Sequence, residues 1–174
     1  MVTSTKKPLG KFPSDHINLN ISFVYPPEMT KMFSPLGEAA YVFEDNNLLY
    51  NNHKYGLDPK LFRTDEGLKA FFKATSVSWD DTGKPYVATM EAHDYPIYGI
   101  QFHPEKPAYA FNEGSNFNHY PEAITLNRYF ADFFIQECRR NGNTFGTYEQ
   151  QVKELIENHK LIITDDYIGN FYAF

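Results

Sequence analysis

The sequence predicts an α/β fold. Three features carry that expectation: period-two apolar runs near residues 16–24 and 75–90, a continuous apolar run at 97–102 that halts at His103-Pro104, and a long amphipathic stretch opening at Pro121. The chain has 174 residues, the size of one domain. The expected organisation is a flexible lead-in over residues 1–13 followed by one domain over 14–174.

Each element has its own warrant. The lead-in is polar and punctuated by Pro8, Gly10 and Pro13. From His16 to Val24, the residues Ile17, Leu19, Ile21 and Phe23 share one side, the mark of a half-buried strand, and Pro26-Pro27 stops it. Glu28 to Phe33 fits one helical turn, Ala39 to Phe43 is a short apolar run, and Leu48 to Tyr55 suits either a strand or a short helix. Thr64 is the expected N-cap of a helix, with Asp65 and Glu66 in its first turn and Leu68, Phe71 and Phe72 at helical spacing. A hairpin follows: Thr75, Val77 and Trp79 alternate with Ser76 and Ser78, Asp80-Asp81-Thr82-Gly83 supplies turn chemistry, and Tyr86 to Met90 returns.

Ile97 to Phe102 has the apolar continuity of a central strand covered on both faces, and Pro104 ends its ladder. After a loop rich in Asn, Gly and Tyr, Pro121 opens the strongest helix. Its expected apolar stripe is Ile124, Leu126, Phe130, Phe133, Phe134 and Cys138, with Arg139-Arg140 favourably near the C-terminus. Gln150 to His159 fits one more helix, and the segment from Ile162 to Phe174 ends in aromatics.

Composition excludes several function classes. Sixteen Lys+Arg against 22 Asp+Glu leave a net charge of −6, and no basic run exceeds two residues, so a phosphate-tracking groove for nucleic acid is not expected. Apolar residues at 42% and charged residues at 22% do not describe a disordered chain. Sixteen Phe and 13 Tyr predict a core that packs rings. Cys138 is the one cysteine, which excludes an internal disulfide and a Cys-based zinc site. No segment approaches the roughly 20 apolar residues of a membrane span. No apolar stretch follows Lys6-Lys7, so no secretory signal is expected there. Asn20-Ile21-Ser22 is a glycosylation sequon that matters only on a secretory route.

The sharpest chemical signal is Tyr98-Gly-Ile-Gln-Phe-His-Pro-Glu105. An apolar strand delivers His103 at its carboxyl end, where open α/β sheets place their sites. Glu105 stands two residues on, in position to bond the imidazole and fix its tautomer, as the orienting carboxylate of a triad does. By spacing alone, a histidine that caps a strand end by bonding a backbone carbonyl is the commoner reading.

The surrounding residues reverse that preference. Gly-Ile-Gln-Phe-His-Pro-Glu resembles the closing motif of the class I glutamine amidotransferase-like superfamily. Met90-Glu91, Tyr95 to Lys106, Ala108-Tyr109, Asn118-His119-Tyr-Pro121, the helix Tyr129 to Asn141 and the tail Tyr167-Ile-Gly-Asn170 together resemble its γ-glutamyl hydrolase family, over roughly residues 16 to 170. The resemblance implies a flavodoxin-like three-layer α/β sandwich with an added β-hairpin, of which this chain is the C-terminal part. It implies a cysteine peptidase that hydrolyses γ-glutamyl bonds of folylpoly-γ-glutamates, with no cofactor and no metal. It assigns His103 as the catalytic histidine, Glu105 as its partner carboxylate and His53, in Asn52-His53-Lys54-Tyr55, as a second histidine at the cleft. Taken alone, His53 reads as a surface-loop residue. His119 is expected to hold a loop in place, and His16, His93 and His159 have no partner at metal-ligand spacing.

One departure shapes the functional expectation. The family's nucleophilic cysteine sits in a Gly-x-Cys-x-Gly turn, and no such segment occurs in these residues. Cys138 falls on the apolar stripe of a helix, where a thiol is expected to be a core residue and not a thiolate. Three readings follow. The chain is the His-bearing portion of a γ-glutamyl hydrolase whose N-terminal half supplies the cysteine. Alternatively, it is an inert relative serving as a structural subunit beside other proteins, or the glutaminase part of an amidotransferase. The family implies a lysosomal, vacuolar or secreted protein; nothing in the chain itself indicates a compartment.

Overall fold

Phe12 is fully buried, so the folded chain starts earlier than its composition suggests. The computed structural model describes residues 7–111, 113–163 and 171–173. They fall into two compact units, the described residues up to Cys138 and those from Arg139 onward. The fold is mixed α/β, as expected, and every strand pair among the described residues is antiparallel.

In the first unit, β1 (Leu9–Leu19) takes in Leu9 to Pro13, which the sequence places in a lead-in. The backbone there is claimed by pairing, and the Phe12 ring meets Tyr86 edge-on at 6.2 Å. The expected strand His16–Val24 is thus divided between the end of β1 and a two-residue β2 (Ser22–Phe23). Two 3-10 segments follow, Pro27–Met29 and Ser34–Tyr41, then α1 (Val42–Asp45). The ambiguous run near Leu48 is a strand, β3 (Leu49–Leu57), paired with β1 through two register shifts.

The short α2 (Leu61–Thr64) precedes α3 (Glu66–Phe71). Thr64 is therefore not the expected N-cap. Asp65 caps α3 instead, its carboxylate accepting from Leu68 N at 3.0 Å. The hairpin forms as read, with β4 (Phe72–Trp79) returning as β5 (Pro85–Ala92). Asp80 Oδ1 accepts from Thr82 N, Thr82 Oγ1 and Lys84 N, and Gly83 supplies the positive φ of 78°. The alternation within β4 is offset, because irregularities at Ser76 shift the register and leave Trp79 exposed. At that point Thr89 Oγ1 bonds both Thr75 Oγ1 (2.7 Å) and Ser76 Oγ (2.6 Å) inside the sheet.

The run expected as a central strand is β6 (Tyr98–Ile100), and it is an edge. The sheet order is β2-β4-β5-β6, so among the described residues β6 pairs with β5 alone. Then come α4 (Glu105–Tyr109) and the long α5 (Pro121–Arg139). The packed stripe of α5 is Ala123, Leu126, Asn127, Phe130 and Phe133, at i, i+3, i+4 spacing. Phe134 and Cys138, further along the helix, are exposed, which corrects the expected stripe. Phe130 joins Phe33, Phe43 and Phe102 in a ring-packed core, with Phe102 at 5.1 Å from Phe130.

Beside that core, Glu91 is fully buried and accepts from Lys31 N, Met32 N and Lys73 Nζ, the last at 3.0 Å. It fastens the turn after the first 3-10 segment to the sheet. The sequon residue Asn20 donates its Nδ2 to the Glu44 carbonyl at 2.6 Å.

In the second unit, α6 (Tyr148–Glu154) is shorter than the expected Gln150–His159 helix. It starts early because Thr147 and Gln150 form a capping box, and a 3-10 turn at Ile156–Asn158 replaces its end. The strands β7 (Lys160–Ile162) and β8 (Phe171–Ala173) pair antiparallel. The tail motif Tyr167 to Asn170 lies outside the described residues.

Candidate active site

His103 is fixed from both sides along the chain. Before it, Gln101 N donates to Ala88 O on β5 and Phe102 is buried against α5. His103 N then donates to Tyr50 O on β3 at 2.8 Å, so the segment leaves β5 and is pinned to the other sheet. With Phe102 turned into the core, the next side chain faces out. Pro104 is the N-cap residue of α4 and Glu105 begins its first turn. That local geometry brings Glu105 Oε1 within 2.9 Å of His103 Nδ1.

An ionised carboxylate only accepts, so Nδ1 carries the hydrogen and Nε2 is the nitrogen left with a lone pair. Both side chains are reachable, with His103 41% and Glu105 54% exposed. Partial burial pushes the Glu105 carboxyl up, but the His103 hydrogen bond, the backbone N–H at the start of α4 and the positive charges of His103 and Lys106 outweigh it. The net result is below the usual carboxylate value. The pair can hold a proton on Nδ1 while Nε2 takes one up.

His53 lies on β3, opposite the buried Ser14 of β1. Its ring meets Tyr86 edge-on at 4.9 Å, and neither ring nitrogen has a hydrogen-bond partner among the described residues. Burial lowers its pKa, and the charge of His103 lowers it further; the Phe12 backbone, Asp81 and Asp80 oppose without reversing the shift. The imidazole is neutral and lines a cavity of about 410 Å³ with Lys11, Asp15 and Lys54.

Spacing in the sequence does not bring Tyr50 and His16 together. Tyr50 sits below His103, their ring centroids 6.3 Å apart, and its hydroxyl meets His16 Nδ1 at 2.5 Å. His16, which has no partner at metal-ligand spacing in the sequence, holds a φ of 51°, the one positive value among described non-glycine residues. A buried tyrosine needs a hydroxyl partner, which is the only sequence-level signal that could have found this pair. The loop after α4 folds over them: Phe117 packs on Tyr50 at 4.6 Å, and Asn116 donates to His16 O. His119 ties that loop together, Nε2 bonding Ala110 O at 2.8 Å and its ring stacked on Phe111. Cys138 is on the last turn of α5 and exposed. Among the described residues no three His, Cys, Asp or Glu side chains are grouped to hold a metal ion. No helix among them is long and apolar enough to cross a membrane.

Residues 28–120 match the model of the glutamine amidotransferase class-I family. The chain is similar to the gamma-glutamyl hydrolase of Homo sapiens, 37% identical over 128 residues that cover 73% of this chain and 38% of that protein. It is 31% identical to the gamma-glutamyl hydrolase of Rattus norvegicus over 159 residues, 91% of this chain and 49% of that one. To gamma-glutamyl hydrolase B of Dictyostelium discoideum it is 32% identical over 126 residues, 71% and 36% of the two chains. The matched stretches thus span between about a third and a half of the length of these curated relatives.

Proposed function

Because this chain belongs to the class I glutamine amidotransferase family, on its γ-glutamyl hydrolase branch, we propose that it supplies the general base of a γ-glutamyl hydrolase. The bond cleaved is the γ-amide that links glutamates in folylpoly-γ-glutamates and similar conjugates. His103 Nε2 takes the proton of a cysteine thiol as the sulfur attacks the γ-carbonyl carbon, and gives that proton to the leaving amine. A water then attacks the thioester carbon, passing its proton through His103 as the thiol departs. Glu105 stabilises the imidazolium formed in each half-reaction, and neutral His53 forms one wall of the cleft. The observation that carries this reading is the 2.9 Å His103–Glu105 bond, which leaves Nε2 uncommitted.

The nucleophile comes from a segment outside these residues. Cys138 stands on the last turn of α5 and not in a Gly-x-Cys-x-Gly turn. We place the cysteine-bearing segment against the edge of β6 that no strand among the described residues pairs, where Ile100 and the preceding Ile97 are 39% and 37% exposed. Pairing there would turn β6 into the interior strand that its sequence resembles.

The test is turnover by the protein isolated from its source with its bound partners. Release of glutamate from a poly-γ-glutamyl conjugate is expected. Ammonia from free glutamine, with the conjugate untouched, would overturn it in favour of a glutaminase subunit. A stable complex with neither activity would point to a structural subunit, a reading the exposed β6 edge also suits.

A further inference from the structure

A second cavity, of about 560 Å³, opens on the first unit among α2, α3, β4 and the residues just after β2. It shares no lining residue with the His53 cavity. Its apolar walls include Phe62, Phe72, Val77 and Tyr25. Its charge is reversed relative to the chain: Lys60, Arg63, Lys69 and Lys73 line it against one acid, Asp58, in a protein of net charge −6.

Not all of that charge is available. Lys73 Nζ is 3.0 Å from Glu91 and 2.9 Å from Met29 O, so it belongs to the fold. Lys69 reaches Glu66 loosely at 4.0 Å. Asp58 bonds the Lys60 backbone N–H at 2.9 Å, a local turn contact. That leaves the Lys60 ammonium and the Arg63 guanidinium, whose side chains form no ion pair or hydrogen bond among the described residues. They stand three residues apart at one turn of chain, close enough for like charges to repel. An anion held between them removes that repulsion. Two uncommitted cations beside a ligand-sized cavity with aromatic walls meet the chemical requirements of an organic-anion site, with orientation set by charge and affinity by apolar contact.

We infer that this cavity binds an organic oxyanion with a flat apolar body, the body resting against Phe62 and Phe72 and its carboxylate or phosphate facing Arg63 and Lys60. The Arg63 fork suits either oxyanion in a bidentate grip, with Lys60 as a point charge beside it. The inference stands apart from the catalytic reading, since it uses neither His103 nor Glu105.

The test titrates the full chain calorimetrically with naphthoate, naphthyl phosphate and uncharged naphthamide, while methyl NMR follows Val77 and Val24. At least one anion is expected to bind about tenfold more tightly than the amide and to shift those methyl signals. The double variant Lys60→Gln/Arg63→Gln should lose about tenfold of the anion affinity and none of the amide's. Both residues are exposed, so the variant should melt with the parent. Tighter naphthyl phosphate binding assigns a phosphate-bearing ligand, and tighter naphthoate binding a carboxylate-bearing one. Equal binding of anion and amide, unchanged anion affinity in the double variant, or methyl shifts confined to other residues would each overturn the site.

Discussion

The Glu105 carboxylate holds His103 Nδ1 at 2.9 Å, and the two residues are only one proline apart. The bond therefore depends on the start of α4 more than on any long-range packing. Because the folded carboxyl lies below its ordinary value of 4.5, the pair's contribution is complete above that pH and fades as pH falls through the lower folded value. Glu105→Gln keeps an acceptor oxygen but loses the charge that stabilises an imidazolium. In the assembled enzyme it should lower kcat by about 10²–10⁴. KM should change little, because the loss falls on the transition state. A rise in KM at constant kcat would assign Glu105 to substrate binding instead.

His53 supplies the pH test. Its folded pKa lies below the ordinary 6.5, so the unfolded chain takes up the proton first. Stability contributed by the neutral ring is complete above 6.5 and declines as pH falls below that value toward the folded pKa. NMR titration should show the His53 imidazole still neutral where free histidine is charged. Denaturant midpoints of His53→Gln should fall less steeply on acidification than those of the parent. A His53 titration at or above 6.5 would refute burial as the dominant influence on the ring.

Glu91 tests the link between sheet and turn. Its side chain is fully buried and accepts from Lys31 N, Met32 N and Lys73 Nζ. Glu91→Ala leaves a half-buried ammonium and two backbone donors without their acceptor, and should cost about 3–5 kcal/mol in urea unfolding. A loss under about 1 kcal/mol would mean that water replaces the carboxylate there.

Cys138 tests the corrected helix stripe. Since the thiol is exposed, it should react completely with an aromatic disulfide reagent in the native protein, without denaturant. Cys138→Ser should shift stability by no more than about 0.5 kcal/mol. Protection until unfolding would restore the thiol to the core.

What the sequence makes legible here is what short-range chemistry decides. The His103–Glu105 bond, the Asp80 turn and the β4–β5 hairpin each follow from residues a few positions apart. Pairing register is not so encoded. The burial of Phe12 depends on β3 and Tyr86, and the Tyr50–His16 contact depends on two shifts between β1 and β3. The apolar run at 97–102 predicts a central strand, yet a strand's neighbours are set by the rest of the sheet, and among the described residues β6 pairs on one side only. On α5 helical spacing puts Phe134 four residues after buried Phe130, on the same face, yet it is exposed, because periodicity names a face without saying how far along the helix its packing partners reach.

The most direct measurement of the central claim is single-turnover cleavage of a poly-γ-glutamyl substrate by the assembled enzyme carrying His103→Ala, beside substrate affinity measured at equilibrium. The account predicts that cleavage falls by several orders of magnitude while the substrate Kd stays within about threefold of the parent's. Parental turnover in His103→Ala would contradict it, and the base would have to be sought elsewhere.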